Sequence, residues 1–410
     1  MKDLNKNRRG YKETKAGWIP NEWSCKQLGS IATLFSGGTP SMSQSQYWGG
    51  HIPWYSARDL KKLRLKESVA QVTEAGAKNG TRIVSPGTIL VLVRGMMLNR
   101  DFPVGITTQR SCFNQDLKAI VTDESQCCSD YLAYSLIMSK MLFLSQVDRS
   151  SHGTGKLGTS IILTTHIAIP EVKERKMISN IIFTHDATID RNRDLITAKK
   201  QQKKALMQQL LTGKKRLPGF KNEWCSHRLG DLFHERREAN SDHLDLLAIT
   251  ASRGIIPASA IDRKDSSSED KSRYKVIKPG DIGYNTMRMW QGVSAVSHLE
   301  GIVSPAYTVC TPAKGVDVEF MGYFFKFQPI VYLFWRFSQG LVDDTLSLKF
   351  PNFSVITVKV PKEKEQHAIA EVLAAADAEI TLLEEKHASL QLQKMGLMQK
   401  LLTGTIRVKS

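Results

Sequence analysis

Cysteine is scarce in this chain and unpatterned. The six residues, Cys25, Cys112, Cys127, Cys128, Cys225 and Cys310, form no C-x-x-C pair and have no histidine partners at zinc spacing. Neither a disulfide framework nor a metal site is therefore expected, and a reducing cytoplasm fits. Long apolar runs are missing too. The N-terminus carries no apolar leader core, and the most membrane-like stretch, Phe320 to Phe337, is interrupted by Lys326, Gln328, Pro329 and Arg336. No membrane partner is expected, and that stretch reads as a buried, aromatic-rich helix pair. Catalytic signatures are likewise absent: there is no H-x-x-x-H pair, no G-x-S-x-G elbow and no Asn-Pro-Pro-aromatic tetrad for work on a flipped base. Gly153 to Gly158 satisfies G-x-G-x-x-G, but polar residues precede it and a strand-like Ser160 to Leu163 follows, where a dinucleotide site needs a strand and then a helix. Gly155-Lys156 continues into leucine and has no glycine five residues earlier, so the phosphate-cradling loop is missing. Glu171-Val172-Lys173 faintly resembles a nuclease Glu-x-Lys, yet it lies at a helix start with no second carboxylate nearby to share a metal. No catalytic residue is assigned.

Negative charge is also in deficit. Against 57 Lys and Arg stand 40 Asp and Glu, a net charge of +17. Such an excess favours a polyanionic partner held through phosphate contacts, with a merely basic surface as the other reading until the charge is localised. At 410 residues the chain exceeds what one hydrophobic core usually serves, so two or more domains are expected.

What the chain does have is an internal repeat. Residues 361–407 align without a gap on 170–216 at an offset of 191, with 17 of 47 positions identical. The densest match sets Leu206-Met207-Gln208-Gln209-Leu210-Leu211-Thr212-Gly213 against Leu397-Met398-Gln399-Lys400-Leu401-Leu402-Thr403-Gly404. Each copy follows a proline, Pro170 or Pro361, and ends in a glycine placed to cap a helix. Upstream, Asn21-Glu22-Trp23 with Leu28-Gly29 recurs as Asn222-Glu223-Trp224 with Leu229-Gly230 at offset 201, and Pro86-Gly87-Thr88-Ile89 recurs as Pro279-Gly280-Asp281-Ile282 at offset 193. The intervening sequences differ. Two equivalent frames with divergent contents suggest two modules doing one job on different targets.

Within the first repeat Ile178, Ile182, His185, Ile189, Asn192, Ile196, Lys199, Lys203, Leu206 and Leu210 alternate by four and three, the seam spacing of a coiled coil. The second copy gives Ile369, Leu373, Ala376, Ile380, Leu383, His387, Leu390, Lys394, Leu397 and Leu401. Both stripes are apolar at their ends and partly polar between, so an antiparallel pair with matched ends buries both and sets Asn192 opposite His387, a polar pair of the kind that fixes register. The other reading packs each helix on its own domain and turns the polar positions to solvent. A helix over 171–212 would run about 60 Å at roughly 1.5 Å per residue, comparable with somewhat under twenty base pairs at about 3.4 Å each.

Between the repeats Thr88 to Val93, Ile161 to Leu163, His166 to Ile169, Val293 to Val296 and Val355 to Val360 read as short strands, and Asp130 to Gln146 and Val318 to Phe337 as helical. Each module is thus expected to be a mixed α/β (α+β) domain. Basic side chains at turns and strand ends are the natural DNA contacts: Arg58, Arg94, Arg100, Arg110 and Lys156 in the first module, and Arg253, Arg273, Arg288 and Lys349 in the second. Arginine can pair bidentately with guanine, while lysine more often holds phosphate. For each residue singly, an ordinary solvated charge is the competing reading. Trp54-Tyr55 and Tyr284-Asn285 lie near them and read as packing residues.

Two variable modules, each followed by a helix ending Leu-Met-Gln-x-Leu-Leu-Thr-Gly, resemble the specificity subunits of type I restriction-modification systems across essentially the full chain. The repeated Asn-Glu-Trp with Leu-Gly, the stretch Trp54 to Leu60 and the Pro-Gly-x-Ile turn are similar to that family's. The resemblance implies target recognition domains at 1–169 and 217–360, spacer helices at 170–216 and 361–410, and a pseudo-twofold, circular arrangement in which the tail after Gly404 lies beside Asn21 as Gly213 leads to Asn222. It also implies a non-catalytic subunit that reads a split site on double-stranded DNA. The partners would be two methyltransferase subunits, bringing S-adenosylmethionine to methylate adenine at N6, and a restriction/translocase subunit using ATP and Mg. This chain itself would carry no cofactor. One departure stands out: Glu365-Gln366 keeps the family's Glu-Gln at the second helix start, whereas the first copy has Glu174-Arg175, which points to unequal docking at the two ends. The rival readings are a free-standing bipartite DNA-binding regulator and a nuclease or methyltransferase with a cryptic site.

Overall fold

A computed structural model describes residues 4–149, 152–239, 243–251, 253–261, 270–342 and 345–408. The chain forms two compact units, Met1–Arg191 with His387–Ser410, and Asn192–Lys386. The boundaries cut both repeats near their middles, because each module packs on the start of one long helix and the end of the other.

Those helices are Val172–Leu210 and Glu363–Leu402. Carboxylates in the first turn, Glu174 in one and Glu363 and Glu365 in the other, complement the positive end of the helix. Both ends turn on a left-handed glycine, Gly213 at φ 68° and Gly404 at φ 69°, a conformation that a side chain opposes. Each glycine also lies against a tryptophan: a Cβ on Gly213 would sit 3.2 Å from Trp224, and one on Gly404 would sit 2.5 Å from Pro20 and 3.3 Å from Trp23. The tail after the second helix therefore lies beside Pro20 and Trp23 in the first unit, as expected, and Tyr11 Oη–H donates to the Gly404 carbonyl at 2.6 Å.

In the first unit the central sheet runs, in spatial order, Ala32–Ser36, Leu117–Thr122, Ile89–Leu92, Val104–Thr107 and Arg64–Leu65. Ile89 to Leu92 are all fully buried, which explains their unbroken apolar run. Helix Ser129–Met138 packs against the sheet with Tyr131, Leu132, Tyr134 and Leu136 buried. In the second unit four antiparallel strands, Phe233–Glu235, Tyr307–Pro312, Ile282–Asn285 and Ser294–Val296, follow the same order. Helices Val318–Phe324 and Gln328–Phe337 form the expected aromatic pair. No helix among the described residues is long and apolar enough to cross a membrane.

One strand expectation fails. Ile161 to Leu163 lie in a short helix, Thr159–Thr164, that follows Gly158. A three-residue apolar run fits either element, and here only Ile162 is fully buried while His166–Ile169 takes the available strand partner, Ser24–Gln27. The argument against the G-x-G-x-x-G motif shifts accordingly: a helix does follow, but it spans six residues, and Gly155 lies within a strand, not in a phosphate loop.

Ion pairs define the helix pairing in each unit. In the first, Lys394 reaches Asp186 at 2.5 Å and Tyr134 Oη–H donates to the same carboxylate at 2.9 Å. In the second, Lys203 contacts both Asp377 oxygens at 2.6 Å, Tyr323 Oη–H donates to Asp377 at 2.8 Å, and Lys199 meets Glu379 at 2.7 Å. The residue numbers run in opposite senses, so the helices are antiparallel within each unit, and these polar seam positions are bridged instead of turned to solvent. Ile178, Ile182, Asn192, Leu210, Ile369, Leu373, Ile380 and Leu401 are buried, and Ile189, Leu206, His387 and Leu397 half-buried.

Asn192 Nδ2–H donates to the Leu383 carbonyl at 3.3 Å, and His387 Nε2 meets Gln391 Nε2 of its own helix at 3.2 Å. Asn192 Oδ1 is buried without a hydrogen-bond partner among the described residues. A polar seam residue of this kind selects register at a cost in stability. Asn192→Leu is therefore expected to stabilise the protein by about 1 kcal/mol, read as a higher denaturant midpoint. A lower midpoint would show that the amide is a net stabiliser.

Candidate nucleic-acid interface

The same clamp closes both units. In the first, the Arg407 guanidinium grips Glu174 through Nε at 2.8 Å and Nη2 at 2.9 Å, while the Trp23 indole N–H donates to Glu174 at 3.0 Å. In the second, Arg216 grips Glu365 through Nε and Nη2, both at 2.6 Å. Burial pushes the Glu174 carboxyl up, yet Arg407, Trp23 and the Val408 N–H together hold it below the usual range. Trp224 differs from Trp23: its indole nitrogen is buried with no hydrogen-bond partner among the described residues. The departure Glu174-Arg175 against Glu365-Gln366 lies inside the units, since all four side chains are buried. It changes local packing, while exposed differences at the helix starts lie at Glu171 and Val172 against Lys362 and Glu363.

On this frame each unit carries one repeated surface feature. The central strand Ile89–Leu92 runs into Arg94, whose short strand Arg94–Gly95 pairs with Gly155–Lys156, so that Arg94 and Lys156 are register partners. Asp148–Arg149 pairs on the far side, and the Leu157 N–H donates to the Val93 carbonyl at 2.9 Å. In the second unit Ile282–Asn285 leads to Arg288, the Leu348 N–H donates to the Thr286 carbonyl at 2.9 Å, and Gln339 pairs with Ser347. The pairs 148 with 156 and 339 with 347 stand at the same offset of 191 as the helices. The repeat thus reaches upstream of Pro170 as backbone geometry where sequence identity is sparse, kept at Thr154 with Thr345 and Leu157 with Leu348.

All nine candidate cations are exposed. In the first unit Arg94 and Lys156 come together, with Arg100 just beyond the turn Met96–Asn99. Arg94 Nε–H donates to Asp116 at 2.6 Å, which fixes the guanidinium by one edge and leaves its two Nη groups as a fork. Arg110 is instead committed to Glu74, with Nη2 to Oε2 at 2.9 Å. That hydrogen bond holds the Glu74 carboxyl below its ordinary value and raises the guanidinium. Arg58 stands apart in the turn Ala57–Asp59. In the second unit Arg288 precedes the turn Met289–Gln291, Lys349 precedes helix Phe350–Ser354, Arg253 donates to the Ala260 carbonyl at 3.2 Å, and Arg273 is exposed within electrostatic reach of Asp270. Trp54, Tyr55 and Tyr284 are buried, as packing residues should be. Asp116 and the exposed Arg149 were not singled out from sequence. Neither carries a local motif, and both acquire their roles by pairing with distant segments.

Burial pushes the Cys112 thiol up to about 11 and the Cys127 thiol up to about 12, so neither is a thiolate at neutral pH. Among the described residues no group of three or more His, Cys, Asp or Glu could hold a metal ion.

Residues 20–201 match the family model described as type I restriction modification DNA specificity domain. A curated relative, the type I restriction enzyme MjaIX specificity subunit of Methanocaldococcus jannaschii, is 30% identical over 204 residues, 48% of this chain and 44% of that protein. This chain thus matches under half of that relative's length. The MjaVIII specificity subunit of the same organism aligns at 23% identity over 98% of this chain and 96% of its own length. Residues 20–201 thus carry a type I restriction modification DNA specificity domain, and the similar proteins are type I specificity subunits. In fold, the chain resembles the type I restriction-modification S subunit from M. genitalium, with a TM-score of 0.56 at 12% identity over 92% of this chain and 96% of that one. The family match reaches only the first module and part of the first helix, and the shared strand order extends the same architecture to the second module.

Proposed function

We propose that this chain is the DNA-reading, non-catalytic subunit of a type I restriction-modification complex, each unit reading one half of a bipartite site. The observation that carries this is the duplicated strand-end and hairpin, cationic at Arg94, Lys156 and Arg149 in the first unit, held on a repeated frame. The long helices serve as the spacer that sets the gap between half-sites. The specificity-domain match over residues 20–201 favours a subunit over a free-standing regulator. Its partners are two methyltransferase subunits, which bring S-adenosylmethionine, and an ATP- and Mg-dependent restriction/translocase subunit, in the cytoplasm. Co-expression with a methyltransferase subunit and single-molecule methylation sequencing test this reading. A split adenine motif with a fixed gap is expected, and a continuous motif overturns it.

The two paired cations should separate by role. Lys156→Ala is expected to weaken binding equally on all sequences and to lower the salt slope of affinity by about 1. Arg94→Ala should cost about 1–3 kcal/mol and relax preference at one position. Fluorescence anisotropy across salt concentrations and single-base variants of the site distinguishes these outcomes. Loss of preference in the lysine variant alone would reverse the assignment.

A further inference from the structure

We infer that the hairpin tip of the second unit, Leu341 with Val342, reads a thymine methyl group in the major groove. This rests on the DNA-reading function proposed above and assigns one of its specificity determinants.

The two hairpins are equivalent by register, 148 to 156 in one unit and 339 to 347 in the other, and each is tied by one backbone hydrogen bond to the residue just beyond its central strand. Their chemistry differs. The first carries Arg149 and Lys156, both exposed cations. The second carries Leu341, 100% exposed, and Val342, 61% exposed. Isolated apolar surface residues are common, but this adjacent pair is built outward. Thr345 Oγ1 accepts hydrogen bonds from the Leu341 and Val342 N–H groups, each at 3.2 Å, and the Thr345 N–H donates to the Val342 carbonyl at 2.9 Å. Gly340 makes the bend possible, since a Cβ there would lie 2.6 Å from the Thr345 carbonyl oxygen.

The surroundings favour DNA as what covers the tip. Arg288, Arg336 and Lys349 are exposed on the segments next to the hairpin base, where they can hold phosphates while the tip enters the groove. The tip itself carries no cation, and Asp343-Asp344 follow it in sequence, so it is no phosphate anchor. Among base-pair features in the major groove, the thymine 5-methyl is the one that an aliphatic side chain reads by contact.

The test uses the full chain. Wild-type protein is selected on a randomised duplex library, and each thymine of the selected site is then replaced singly by deoxyuridine, which removes only the methyl. At one or two positions deoxyuridine should weaken wild-type binding about fourfold, the worth of one buried methyl. The variant Leu341→Ala/Val342→Ala should bind the thymine site correspondingly more weakly and be indifferent to deoxyuridine at those positions. If the variant responds to deoxyuridine as wild type does, or loses binding equally on all sequences, the assignment is overturned. The first of these results is also what a tip that packs on a protein partner would give. If wild-type protein selects no sequence, the DNA-reading function itself fails, and this inference with it.

Discussion

Glu174→Ala is expected to destabilise the first unit by about 3 kcal/mol, at the low end for breaking a buried ion pair because Arg407 remains partly exposed. The substitution strands the Trp23 indole N–H and takes the Nε and Nη2 partner from Arg407, which keeps only Glu22 through Nη1 at 2.8 Å. A loss of that size lowers the melting temperature by on the order of 6–12 °C for a unit of this length. Glu365→Ala breaks the equivalent clamp in the second unit but should cost less. Trp224 donates no hydrogen bond there, so one fewer donor is left without its partner. Differential scanning calorimetry of both variants decides the matter, and an equal or larger loss for Glu365→Ala would refute the clamp's asymmetry. The pH dependence follows from the direction of the shift. The folded-state Glu174 value lies below the ordinary 4.5, so the carboxylate's contribution is complete above about pH 4.5 and is lost as the pH falls through the folded value. Wild type and Glu174→Ala should therefore converge in acid.

Phe353→Ala should cost about 4 kcal/mol in the second unit. The ring is fully buried and lies 5.3 Å from Tyr284, 5.6 Å from Phe325, 6.0 Å from Phe334 and 6.3 Å from Phe233. Removing it opens a cavity where a sheet strand, an aromatic helix and the strand at the sheet edge all meet, and rings fixed on separate elements collapse poorly into such a space. Phe353→Leu should cost about half as much. Hydrogen exchange should accelerate first in Ile282–Asn285 and Tyr307–Pro312. Unchanged protection there would mean that the cluster is not the keystone of this core.

Much of the helical frame was readable because its causes are local. A proline before the start, carboxylates in the first turn and a glycine after the end act within a few residues, and the repeated Leu-Met-Gln-x-Leu-Leu-Thr-Gly announced both helix ends. The strand reading succeeded for Ile89–Leu92 and His166–Ile169 and failed for Ile161 to Leu163, where three apolar residues carry too little period to tell strand from helix. One signal was present and passed over: Asp186 with Asp377, and Lys203 with Lys394, are identical between the copies. Polar identity at corresponding positions marks a repeated contact, here the Lys–Asp–Tyr cluster in each unit.

The sequence by itself determined that there are two copies of one frame, that each frame ends in a long capped helix, and that the chain is cationic, because side-chain identity persists where both copies make the same contacts. Only the tertiary structure decided that the equivalence continues through the hairpins at 148–156 and 339–347. Backbone hydrogen bonds hold those hairpins in the same register whatever their side chains, so Arg149 and Lys156 in one stand where the other has Gly340 and Ser347. The same holds for the candidate cations: Arg94 and Arg110 look alike in sequence, and what separates them is a carboxylate brought from elsewhere, Asp116 gripping one edge of the first and Glu74 both branches of the second.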